Sequence, residues 1–226
     1  MLYFCGMEWT ATVDGYCERL SPAFWAEPVN AVTNAAFVIA AVILWMRIGS
    51  RPLPIARLLT AILAAIGIGS FLFHTFATVW AGLADVAPIG AFIVVYLYAA
   101  FRSFWGCSIF WAIFAVIVSL LVIFLLAAFF DRIAFFTISA AYWPIPLLIL
   151  GVAVSINGFA ARTAQGLTLG AVILVISLTL RSVDQTWCTG FPLGTHFLWH
   201  LLNAVMLGWM IEVYRRHVLA PPPAGR

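Results

Sequence analysis

The chain alternates between long apolar runs and short polar connections. Seven apolar segments lie at about 29–45, 55–73, 86–101, 109–130, 135–154, 167–180 and 197–214. Most approach the roughly 20 residues that a membrane-spanning helix needs. The connections carry turn chemistry: Gly49-Ser50-Arg51-Pro52, Gly82, Asn157-Gly158 and Gly190-Phe191-Pro192. The sixth run is short and ends on Arg181 and Asp184, so it is the least span-like. No internal repeat is visible. The pattern predicts an all-α integral membrane protein, a seven-transmembrane helix bundle over 28–217. A polar segment, 1–27, precedes it, and a tail, 218–226, follows, in which Pro221-Pro222-Pro223 predicts a disordered end.

Composition agrees. Hydrophobic residues make up 65% of the chain and charged residues 8%, where a soluble domain carries about 25% charged. That little charge would not cover a globular surface in water. Seven spans use about 140 positions, which leaves short loops and no soluble domain. The N-terminal segment holds Glu8, Asp14, Glu18, Arg19 and Glu27 but no basic stretch followed by an apolar one, so it does not read as a signal peptide. A net charge of +3 is too small to argue for nucleic acid, and no protein partner is inferred. All eleven cationic residues are Arg and none is Lys, which excludes a lysine Schiff base and with it a retinal protein.

The Arg distribution sets the orientation. Arg47, Arg51, Arg57, Arg102, Arg162, Arg215, Arg216 and Arg226 fall on one side, against Arg19, Arg132 and Arg181 on the other. This places the N-terminus outside and the C-terminus in the cytoplasm. The compact, Lys-free chain without eukaryotic sorting signals points to a bacterial inner membrane.

Ionisable groups within apolar runs are costly in lipid and mark function. His74 ends the second segment, four residues after Ser70 in Gly67-Ile68-Gly69-Ser70-Phe71-Leu72-Phe73-His74. Asp85 opens the third segment, and His196 and His200, one helical turn apart, open the seventh. In this topology all five lie near the outer side. Three neutral imidazoles leave one position of a tetrahedral zinc free, as catalytic zinc sites do. The four cysteines are scattered singly and do not suggest a cysteine site. Each residue also has a plain structural reading. His74 could hydrogen-bond a neighbouring helix, and the His196–His200 spacing could be chance. Asp85 could serve as an N-cap, and Ser70 could be a small residue at a helix crossing beside Gly67 and Gly69. His217 reads as a solvated interfacial residue. What favours a joint site is that three helices agree on depth and side.

The residues resemble the alkaline ceramidases, part of a superfamily of seven-helix membrane hydrolases that includes the adiponectin receptors. The resemblance covers nearly the whole chain. It rests on Tyr16-Cys17-Glu18, on Phe24-Trp25-Ala26-Glu27-Pro28-Val29-Asn30 with Asn34, on Gly69-Ser70 with His74, on Asp85 with Pro88, and on Trp199-His200 after His196. It implies that His74, His196 and His200 bind zinc and that Ser70 and Asp85 assist catalysis. It also implies calcium bound by the acidic N-terminal segment, for which Asp14, Glu18 and Glu27 are the candidates, with hard oxygen ligands suited to that ion. The sequence departs from the pattern there: Gly15 stands where an acid is expected, Leu20 where an Asn is expected, and the spacer to Glu27 is about two residues short. A disulfide between Cys17 and Cys188 is a further implication, on the oxidising side, whereas Cys5 and Cys107 have no evident partner.

The expected function is hydrolysis of ceramide or a related long-chain N-acyl lipid to a sphingoid base and a fatty acid. Zinc-bound water is the expected nucleophile, Asp85 the proton carrier and Ser70 the donor to the developing oxyanion. The lipid would enter laterally from the bilayer. Three alternatives stay open: a serine hydrolase built on Ser70 and a histidine, a haem protein with His74 and His200 as axial ligands, and a receptor-like sensor with weak turnover.

Overall fold

The computed structural model describes residues 8–13 and 15–220. Asp14, Cys5 and the tail from 221 therefore lie outside the described residues. The described chain is helical apart from its connections and one isolated bridge between Thr12 and Thr78. In chain order the helices are α1 (Pro28–Thr33), α2 (Ala35–Ile48), α3 (Pro54–Phe76), α4 (Val79–Ser103), α5 (Ile109–Phe130), α6 (Pro144–Ile156), α7 (Ala161–Trp187) and α8 (His196–Leu219). Six stretches are long and apolar enough to cross a membrane, with α1 and α2 counted as one stretch from Pro28 to Ile48; α6 is a shorter apolar helix. The chain is that of an integral membrane protein.

Three boundaries differ from those the pattern predicts. The run at 135–154 is helical only from Pro144, after a 3-10 turn at Thr137–Ser139. Its first part is aromatic and apolar, but Pro144 and Pro146 lack the N–H groups that would continue a helix backwards, and Pro is at home in a first turn. The sixth run extends in both directions to 27 residues, carrying Arg181 and Asp184 inside α7. The third run starts earlier, at Val79, so Asp85 sits inside α4 and does not cap it. Gly82, which reads as a turn signal, packs instead where a Cβ would meet the Phe73 ring at 3.4 Å.

α3 is the central element, packed on α1, α2, α4 and α8, while α7 joins α6 to α8. Leu59, Leu63 and Ile66 of α3, Leu167 and Leu178 of α7, and Ile211 of α8 are fully buried between them. By contrast α5, apolar all round, buries little beyond Ala112, Val116 and Ser119 and packs mainly on α4 and α6. A helix apolar on every face in a loosely packed position is one whose solvent is lipid.

One crossing positions the site. A Cβ on Gly69 of α3 would lie 2.0 Å from the Ala84 carbonyl oxygen of α4. Pro88 in α4 has no N–H to give that carbonyl, so Ala84 is free to face α3. Glycine permits the approach, as small residues do at membrane helix crossings. The next residue on each helix is Ser70 and Asp85.

The N-terminal segment closes this end of the bundle. Its backbone bonds the α3–α4 link, Val13 N–H to Ala77 O at 2.7 Å and Val79 N–H to Ala11 O at 3.1 Å. Cys17 and Cys188 are joined by a disulfide, with Cα atoms 5.2 Å apart. Asp184, fully buried, accepts from the backbone N–H groups of Cys17, Thr195 and His196 at 3.2, 2.6 and 2.9 Å. One carboxyl thus ties the segment, the end of α7 and the first turn of α8 together. Gly194 is required beside it: its φ is +64° and a Cβ there would lie 2.2 Å from Asp184 Oδ1.

Candidate metal centre

His74 from the last turn of α3 meets His196 and His200 from the first two turns of α8. All three are buried, and one ligand atom from each lies within 4.8 Å of the others. The ring centroids are 4.6 Å (His196–His200), 4.7 Å (His74–His200) and 5.1 Å (His74–His196) apart. Rings this close, two pairs T-shaped and one tilted, have no slot for a porphyrin between them.

Hydrogen bonds outside the triad orient two of the rings. Glu27 Oε2 lies 2.6 Å from His74 Nδ1; a carboxylate only accepts, so Nδ1 carries a proton and Nε2 is the atom left to ligate. Thr33 Oγ1 lies 3.0 Å from His200 Nδ1. The Thr33 hydroxyl donates to the carbonyls of Val29 and Asn30, at 2.8 and 3.0 Å, so it accepts from His200, whose Nε2 is likewise free. These nitrogens, His74 Nε2 and His200 Nε2, are buried without a hydrogen-bond partner, as is His196 Nδ1. Three orphaned imidazole nitrogens on rings this close together carry a desolvation cost that a bound cation would remove. Partners on the far nitrogens are what metal-ligating histidines have. The residues fit a metal ion.

Tyr16 stacks on His196 with centroids 3.7 Å apart. Burial pushes its phenol above the ordinary range, against the pull of the neighbouring Arg181 charge. Arg181 donates to Ser139 Oγ at 2.7 Å and to the Tyr16 hydroxyl at 3.4 Å, and stands 5.6 and 5.4 Å from the Tyr142 and Trp199 rings. Among the described residues no carboxylate forms an ion pair with it.

Ser70 and Asp85 flank the triad. The Ser70 hydroxyl is within hydrogen-bond reach of the Asp85 carboxyl. Both line a cavity with Tyr142, Trp199 and His200. Ile93, Ile145, Met206 and Leu207 belong to this cavity and to a second one, lined only by apolar surface, that runs deeper beside Tyr96 and Leu167. The polar groups line the first of two adjoining cavities, and the second is apolar.

Two of the N-terminal acids, Glu18 and Glu27, have protein partners. Glu18 accepts from the backbone N–H groups of Val29 and Asn30, at 2.7 and 2.8 Å, and so caps α1 from nine residues before Glu27. Glu27, the residue at the N-cap position, makes no capping bond and is free to hold His74. Burial alone would raise its carboxyl, but hydrogen bonds from His74, Arg19 and Asn30 hold it below the usual carboxylate range. Asp14 lies outside the described residues. Among the described residues the three histidines are the group of ligating side chains with metal-holding spacing.

No role in the site is readable from the sequence for Arg19, Thr33 or Asp184, and Tyr16 enters only within the Tyr16-Cys17-Glu18 run. No curated protein matches the chain. The family model for ceramidases matches residues 7–219, which contain every described element of the site, and the chain belongs to the ceramidase family.

Proposed function

We propose that the protein is a zinc-dependent intramembrane amide hydrolase that cleaves ceramide or a related long-chain N-acyl lipid to a sphingoid base and a fatty acid. The observation that carries the reading is the convergence of three unpartnered imidazole nitrogens beside Asp85, in a cavity that adjoins an apolar one. Family membership supports the substrate class.

His74, His196 and His200 would hold the metal, and zinc supplies Lewis acidity that makes water a nucleophile near neutral pH. Asp85 accepts the proton that the attacking water gives up and delivers it to the departing amine nitrogen, so amide and water become carboxylate and ammonium. Ser70 turns its hydroxyl from Asp85 to the scissile carbonyl oxygen as negative charge develops there. The acyl chain lies along Ile93, Ile145, Met206 and Leu207, and the loose packing of α5 gives lipid a lateral way in. The site faces the outer side, with the C-terminus in the cytoplasm. α6 is then the seventh span: its 13 residues reach about 20 Å, and 135–143 fill the remaining depth.

The test is metal analysis of the purified protein together with fatty-acid release from labelled ceramide. Wild type should hold about one zinc per chain. His200→Ala should lose both zinc and turnover, and chelation should stop release until zinc returns. Turnover without metal, or labelling of Ser70 by a fluorophosphonate, would overturn the mechanism.

A further inference from the structure

We propose that Arg19 is a positioning residue of the metal centre: it supplies a fixed, internal positive charge that holds Glu27 against His74. The proposal rests on His74 being a metal ligand, as in the function proposed above, and adds how the N-terminal segment controls that ligand.

Arg19 and Glu27 are both buried, with Nε and Oε1 2.5 Å apart. The other Glu27 oxygen meets His74 Nδ1 at 2.6 Å and accepts from Asn30 Nδ2 at 3.1 Å. Arg19 also reaches His74 directly, donating from Nη2 to its backbone carbonyl at 3.0 Å. A further bond, from Nη1 to Ser21 O at 3.1 Å, fixes the guanidinium to its own loop. One planar cation therefore grips His74 twice, through its carbonyl and, by way of Glu27, through its ring. A fork of donors in fixed geometry suits this better than an ammonium would.

The charge matters as much as the geometry. A buried carboxylate is costly unless a cation compensates it. Without Arg19, Glu27 would be drawn towards water and His74 would lose the partner that fixes its tautomer. Glu18 is occupied in capping α1. Arg19 is the cation beside Glu27, so the segment carries its own positive charge and takes none from solution.

The experiment measures zinc affinity by competition with a chromophoric chelator, in detergent, for the full chain. Arg19→Gln should weaken zinc binding about 10- to 100-fold, the usual cost of removing an outer-shell partner. Glu27→Gln should do the same, and the double variant should be no worse than Glu27→Gln alone, because the two act in series. Arg19→Lys should recover part of the loss, and methylguanidinium should restore affinity to Arg19→Ala, which separates a missing cation from a misfolded segment. Calcium should leave wild-type zinc affinity unchanged. Wild-type-like affinity in Arg19→Gln, losses that add in the double variant, or a wild type that needs calcium would each overturn the proposal. Failure of the function itself reads differently: the wild-type protein would bind no zinc, or would bind it equally well as His200→Ala.

Discussion

The two ends of α8 present histidine in opposite conditions. At its start, His196 and His200 join His74 and leave three buried nitrogens without partners. At its end, His217 has both ring nitrogens engaged, Nδ1 with Thr163 Oγ1 at 2.9 Å and Nε2 with the Ser103 carbonyl at 3.1 Å. The acids differ in the same way. Glu212, near the second end, is surrounded by Arg47, Arg215 and Arg216 at 3.4, 2.8 and 2.7 Å, whereas Glu27 divides its oxygens between one Arg and one His. A polar cluster whose every bond is made holds helices together. One that ends in orphaned nitrogens has the donor set that a cation needs. The number of histidines at a place says little; what their free nitrogens face separates the two ends.

The largest effect should come from the chemistry next to the orphaned nitrogens. Ser70→Ala removes a donor without touching a metal ligand. On the proposed mechanism it should lower kcat about 10²–10³-fold, the usual cost of one oxyanion donor, with zinc content and thermal stability unchanged. Loss of zinc in this variant would make Ser70 part of the metal site, and full activity would leave it a small residue at a crossing.

Much of this end was legible in the chain because charge stands out against an apolar background. His74, His196, His200, Ser70 and Asp85 could be brought together from spacing and Arg asymmetry alone. The residues that orient them could not. Glu18, Arg19 and Glu27 lie in the polar segment, where a charge is ordinary and nothing in the order of residues says which acid caps α1 and which holds a histidine. Asp184 was visible only as a blemish on a short apolar run, since its backbone partners lie in two other parts of the chain, at Cys17 and at Thr195-His196. The fold shows the same division. Apolar runs mark the long helices, but the run at 135–154 misleads because hydrophobicity does not report the missing N–H groups of Pro144 and Pro146.

A smaller effect should follow from the crossing that sets Ser70 against Asp85. Gly69→Ala places a Cβ 2.0 Å from a backbone oxygen, which has no rotamer with which to yield. α3 and α4 must separate, at a cost of about 1–3 kcal/mol typical of overpacking, read as a lower Tm. Turnover should fall because Ser70 and Asp85 part, while zinc remains because its ligands lie on α3 and α8. Gly151→Ala is the control: a Cβ there meets nothing within 4 Å, and neither Tm nor turnover should move. Equal effects in the two variants would show that the approach at Gly69 has no special part in the site.

The smallest effect is expected at the opposite end, where the contrast is sharpest. His217→Gln keeps a polar side chain but removes the bridge between Thr163 of α7 and the Ser103 carbonyl. Interhelical hydrogen bonds of this kind contribute about 0.6 kcal/mol on average in a membrane protein, so Tm should drop by a few degrees at most. Zinc content and fatty-acid release should match wild type, because both nitrogens of His217 already have protein partners and neither faces the triad. A change in zinc stoichiometry on this substitution would mean that satisfied and orphaned histidines are not distinct classes here, and would remove the ground on which the metal centre was assigned to only one end of α8.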